Sequence, residues 1–231
     1  MTATAALLLL ADSRLPAGGH AHSGGVEQAV SAGRVGDIVT LERFLRGRLA
    51  TAGAQAATVA AFACLEVTDR GASGPAGGLW SDLDTEVSAR MPSPAQRAVS
   101  RAQGRALLRV VAAAWPSPVV HRVGARPHHA VALGVAVALA GGTARDAALV
   151  AATGAVGGPA SAALRLLGTD PVELTALLAR LAPELDRCAA RSGADAVAAA
   201  GDPARLPAPN GPLLDVLAER HASAEGKLFA S

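Results

Sequence analysis

Tyrosine is absent from this 231-residue chain, and three phenylalanines with two tryptophans are its only aromatic residues. A core must therefore be built from leucine, valine and alanine, and 51% of the residues are hydrophobic. Small side chains let helices pack closely, and alanine is the strongest helix former, so the composition points to an all-α protein. The length suits one or two domains with a sizeable core. A nucleic acid partner for the arginine stripe described below is disfavoured, because no aromatics are interleaved with it and the chain is barely basic.

Lysine is almost missing as well, since Lys227 is the only one beside the arginines. A phosphate-binding P-loop needs GxxxxGK(S/T), and Gly226-Lys227-Leu228 does not supply it. Cys64 and Cys188 stand far apart and outside any CxxC pair, which argues against a disulfide framework and a zinc finger. No basic residue precedes the N-terminal apolar run, so a signal peptide is not expected. The longest candidate membrane span, Ala130 to Ala140, falls short of the roughly 20 residues a bilayer requires. A soluble, cytoplasmic protein is the expectation. No GxSxG, HExxH or glycine-rich dinucleotide loop is present, and there is no internal repeat or strand-like alternation. The net charge of +2 says little about partners.

What the chain does contain is helical punctuation. An apolar run from Leu7 breaks at Leu15-Pro16, crosses a glycine-rich loop to Gly25, and re-enters a helix at Val26, with Ser23 as its expected N-cap. Asp37 opens a helix through Ile38, Leu41, Leu45 and Leu49, and another runs from Ala54 to Val67. Arg70 to Gly78 is a flexible connection within one domain. Ser93, Pro94 and Gln96 form an N-cap, a first-turn proline and a capping box. The helix they start carries Arg97, Arg101, Arg105 and Arg109 at four-residue spacing, which stacks them on one face. That stripe is either a solvated face or a contact for an acidic protein surface. From His128-His129 a hydrophobic helix extends to about Ala140, and Thr143 caps another that Gly157-Gly158-Pro159 should kink or break. Asp170-Pro171 opens a helix to about Ala189, residues 201–212 have little order, and Leu213, Leu214 and Leu217 mark a short amphipathic helix.

Loops held by rigid scaffolds tend to carry function, which makes the loop at residues 17–25 the first candidate site. His20 and His22 could ligate nickel or zinc, but most metal sites need more ligands, and no cysteine or carboxylate is adjacent. A structural or interface role for the pair is the alternative. Arg165 sits between Leu164 and Leu166, where its stem is expected to pack while its head reaches solvent. His128 and His129 suit the start of a core helix, and His121 lies in a loop without a role. Leu228 and Phe229 are apolar residues with no evident place to pack, fitted either to a partner or to a frayed end.

Three segments in order resemble the UreF family of urease accessory proteins. The first is Leu15, Pro16, Gly18, His20, His22, Ser23, Gly25 and Glu27, where His20 takes a position usually aromatic in that family. The second comprises His129 to Gly134 and Ser161 to Leu166; the family's following P-L-G-Q is shortened here to Leu167-Gly168-Thr169-Asp170. The third is His221 with Lys227, Leu228, Phe229 and Ser231, lacking the glutamate after the histidine and with lysine for arginine.

The resemblance implies a non-enzymatic, all-α protein of about ten helices in a single domain over residues 1–231, with a flexible tail from about 222, acting as a homodimer. It implies binding to UreD (also called UreH), recruitment of the GTPase UreG and delivery of nickel to the urease apoprotein, with an influence on GTP hydrolysis by UreG. The chain would have no cofactor of its own: nickel is handled transiently by the complex, and GTP is bound by UreG. The loop at His20, His22 and Ser23, with Glu27 and Arg165, would face UreG. The tail, with His221, Lys227, Leu228, Phe229 and Ser231, would face UreD. No nucleic acid or membrane partner is implied. The competing readings are a small metal-binding helical enzyme using His20 and His22, and a helical interaction module unrelated to urease.

Overall fold

The computed structural model describes residues 4–12, 14–17, 19–70 and 78–230, the side chains of His20 and Arg70 excepted. Most of the connection expected at Arg70 to Gly78 thus lies outside the described residues, as do Gly18 and Ser231. Among the described residues there is no strand. The helices are α1 (Thr4–Ala11), α2 (Val26–Ser31), α3 (Ile38–Arg48), α4 (Ala54–Arg70), α5 (Leu79–Ala89), α6 (Pro94–Ala114), α7 (Val119–Arg122), α8 (His129–Leu139), α9 (Ala144–Leu167), α10 (Pro171–Ala198) and α11 (Pro212–Ser223). The all-α expectation of about ten helices holds.

The core is organised around α4, which packs against α8, α9 and α10, while α8 also lies on α6. Ala130 to Val137 of α8 are buried without a break, and a helix apolar on every side belongs in an interior. α8 approaches α4 closely at Gly134, where a Cβ would stand 2.2 Å from the Ala60 carbonyl oxygen. Phe62, Leu83, Leu107, Leu177 and Leu181 fill the remaining space. With so few rings available, the helices close the gap by proximity.

The helix starts follow from local chemistry. Asp37, Ser93, Thr143 and Asp170 each accept a first-turn N–H with the side chain, from Thr40, Gln96, Asp146 and Val172 respectively. Each such cap is worth about 1 kcal/mol. The capping box expected from Gln96 is replaced by carboxylates of α11. Asp215 Oδ1 accepts the Ser93 N–H at 3.4 Å, and Glu219 accepts the Ala95 N–H at 2.9 Å together with the Ser93 hydroxyl. Negative charge is favoured at the positive end of a helix, so α11 is docked by its acidic face.

Several sequence expectations need correction. α3 and α4 are joined by a π-helical turn (Leu49–Gly53) rather than a break. α9 runs through Pro159, and α10 continues past Pro183 to Ala198 instead of ending near Ala189. Both helices pack on α4, which holds them helical although each proline removes an N–H donor. His121 belongs to α7 rather than to a loop. Finally, Ala130 to Ala140 is not the longest apolar segment. Two helices, Ile38–Asp69 and Ala144–Leu167, are long and apolar enough to cross a membrane by length and composition, with 67% and 50% of their most apolar windows buried inside the protein. The stretch 201–212 is tied down as well, by Arg90 donating to the carbonyls of Ala204 at 3.2 Å and Leu206 at 3.0 Å.

Candidate docking site

The loop after α1 forms a 3-10 turn (Gly19–Ala21) and enters α2 through Gly25, whose φ of +91° suits a residue without Cβ. Gly25, not Ser23, is the N-cap, and no side chain caps this helix. Ser23 is fully buried, its hydroxyl is without a hydrogen-bond partner among the described residues, and its carbonyl accepts the Val26 N–H at 3.3 Å. The side chain that works here is Glu27, in the first turn of α2.

Glu27 is buried. Its Oε1 accepts the Leu228 N–H at 2.6 Å and its Oε2 accepts the Phe229 N–H at 3.2 Å. A carboxylate taking two backbone donors holds a chain segment in fixed register. His221 lies 3.6 Å from the same carboxylate through Nδ1, and its Nε2 stands 3.2 Å from the Phe229 carbonyl. A carbonyl only accepts, which places the proton on Nε2. Lys227 donates to the carbonyls of His221 at 3.0 Å and Ala222 at 3.1 Å, satisfying the open end of α11. The Ala230 N–H then bonds the Ala21 carbonyl at 2.7 Å. The tail folds back upon the loop.

This arrangement divides the two apolar tail residues. Phe229 is 6% exposed and joins the core, against the expectation that it lacks a place to pack, whereas Leu228 is 74% exposed. Over the Phe229 ring sits Arg165 of α9, its guanidinium carbon 5.2 Å from the ring centroid. The pairing is a cation–π contact, and the arginine remains otherwise exposed.

Glu27, Arg165, His221, Lys227, Leu228 and Phe229 therefore converge, with Ser23 buried one turn before Glu27. The loop and tail, expected on separate faces, form one continuous surface. His22, within this loop, is half-buried, and the His20 side chain lies outside the described residues, as does Ser231. Burial, with the charge of His22 adding to it, draws His129 down to a pKa of about 4. Among the described residues no group of three or more His, Cys, Asp or Glu side chains could hold a metal ion.

The arginine stripe on α6 does not behave as one face. Arg101 pairs with Asp84 through two bonds of 2.9 and 2.7 Å, and Arg97 donates to the carbonyls of Met91 and Pro92. Arg105 and Arg109 are exposed. His128 is fully buried, with Ser100 and Ser88 hydroxyls each 3.0 Å from its two ring nitrogens, and burial lowers its pKa to about 4.

Arg48 carried no signal of its own in the sequence, yet it is tied to this site. Its Nε donates to the Ala155 carbonyl at 2.9 Å and its Nη1 to the Gly24 carbonyl at 2.8 Å. A proline inside a helix was the clue available, because it leaves the carbonyl four residues earlier without a donor.

The profile of the UreF family matches residues 35–182. Over the full length of both chains, the sequence is 46% identical to a protein of Mycolicibacterium vanbaalenii and 44% identical to one of Mycobacterium marinum. It is 41% identical, again end to end, to one of Mycobacterium tuberculosis. All three carry the name urease accessory protein UreF.

Proposed function

The chain belongs to the UreF family of urease accessory proteins, and from that premise we propose that it is a non-catalytic scaffold of urease maturation, joining UreD (UreH) to the GTPase UreG so that nickel reaches the urease apoprotein. One observation supports this above the others: Arg165 lies on Phe229, whose backbone is held by Glu27, so loop, tail and α9 present a single composite surface.

The chemistry of that surface suits protein docking. A guanidinium whose carbon stands 5.2 Å from a ring centroid and which is otherwise exposed keeps N–H groups for a partner carboxylate. The exposed Leu228 beside it is a ready apolar anchor. We assign Arg165 a docking role rather than a place at a phosphate, with GTP bound by UreG and nickel passing transiently through the complex. The chain acts in the cytoplasm and as a homodimer in this reading, without a cofactor of its own.

The test is activation of urease apoprotein by UreD, UreG, nickel, bicarbonate and GTP, with and without this chain. Arg165→Ala and Leu228→Asp, both changes at exposed side chains, should each weaken capture of a partner at least tenfold and slow activation, with the unfolding midpoint nearly unchanged. If both variants capture UreD and UreG and activate urease as the parent does, the assignment of this surface fails. Equilibrium dialysis with nickel and zinc addresses the metalloenzyme alternative: tight stoichiometric metal on the isolated chain would favour that reading instead.

A further inference from the structure

Pro159 lies in the interior of α9 and has no N–H, so the Ala155 carbonyl loses its helical donor. A buried carbonyl without a partner is costly. The donor comes from 107 residues away in sequence: Arg48, the last residue of α3, bonds Ala155 through Nε at 2.9 Å. The other arm of the same guanidinium bonds the Gly24 carbonyl at 2.8 Å. Arg48 is half-buried, and no carboxylate pairs with it among the described residues. Burial draws its pKa down to about 10, which leaves it charged at neutral pH, spending that charge on two backbone oxygens.

Gly24 is fitted to this arrangement. Its φ is +61°, and a Cβ there would stand 2.8 Å from Pro159 Cγ and 3.2 Å from the Arg48 guanidinium carbon. The loop is thus pressed into the notch that the proline makes. Three residues later Glu27 holds the tail, and the tail places Phe229 under Arg165, six residues beyond Pro159 on the same helix. The contacts form a closed ring: Arg48, Gly24, Glu27, Phe229, Arg165 and, through α9, Ala155 again.

We propose that Arg48 is the positioning residue of the docking surface: by bridging the Gly24 and Ala155 carbonyls it fixes Glu27, and through Glu27 the tail, relative to the helix that carries Arg165. The role rests on the reading of that surface as partner-facing, but the bridge can be tested without any partner.

The experiment is amide hydrogen exchange on the full chain, comparing the parent with Arg48→Met and Arg48→Lys. In Arg48→Met the Leu228 and Phe229 amides should exchange at least tenfold faster while amides of α4 and α8 keep their protection. Lysine keeps the charge but not the two-armed fork, so tail exchange should remain raised in Arg48→Lys. Parent-like protection of the tail in Arg48→Met overturns the proposal, as does complete recovery by lysine. Should Arg48→Met fail to fold, Arg48→Lys decides alone: faster tail exchange supports the bridge, and parent-like exchange overturns it. Faster tail exchange in a chain whose parent captures neither UreD nor UreG supports the bridge and removes only the partner reading.

Discussion

Burial of His128 ties the stability of the protein to pH. Its ring sits between two serine hydroxyls, and burial favours the neutral form, lowering its pKa from 6.5 to about 4. The unfolded chain binds a proton that the folded chain refuses. The histidine's contribution is therefore complete above pH 6.5 and is lost as pH falls towards 4. Urea titrations across that window should show stability falling by up to about 1.4 kcal/mol per pH unit for one such group. His129 shifts the same way and steepens the slope. A parent-like slope in His128→Gln would remove His128 from this account. The residue scale is also where sequence says least about partners. His128 as a core residue was legible, because a histidine heading an apolar helix has few other fates. Glu27 was legible as part of a motif, but not as the acceptor of two tail amides 201 and 202 residues away, since nothing local distinguishes it from a solvated glutamate.

Among the elements, the helix starts were readable and the helix continuations were not. Asp37, Ser93, Thr143 and Asp170 act on residues within one turn, so the signal and its effect share the same short stretch. Pro159 and Pro183 are local signals with a non-local outcome, since whether a helix survives a proline depends on what packs against it. The two differ in kind. Pro159 is buried and its orphaned carbonyl is met by Arg48, whereas Pro183 is exposed on α10. Replacing Pro183 by alanine restores an N–H for the Ala179 carbonyl and should stabilise the protein by about 1–2 kcal/mol, part of the helical gain being offset by the looser unfolded chain. Chemical denaturation checks this directly. An unchanged midpoint would mean that α10 has accommodated the proline at no cost.

At the scale of the whole molecule, the scarcity of rings sets the manner of packing. An interior of alanine, valine and leucine reaches density only if helix axes come close, and Gly134 marks where α8 and α4 meet. Gly134→Val should therefore disrupt the fold rather than merely loosen it, because the obstacle is the Ala60 backbone oxygen and not a movable side chain. Loss of the cooperative thermal transition is the expected result, and a parent-like melting curve would contradict the described crossing. Composition announced this helical class at once. It could not announce that the tail closes upon the first loop, since that depends on Glu27 meeting the Leu228 and Phe229 amides from the far end of the chain.

Lys227 has its ammonium against the end of α11, within the segment that Glu27 secures, and it is the only lysine in the sequence. Reagents that acylate side-chain amines consequently have one address on this protein, and it lies at the tail. Covalent footprinting with such a reagent converts an accident of composition into a gauge, reading the rise and fall of the tail from the mass of the Lys227 peptide, apart from any label on the α-amino group.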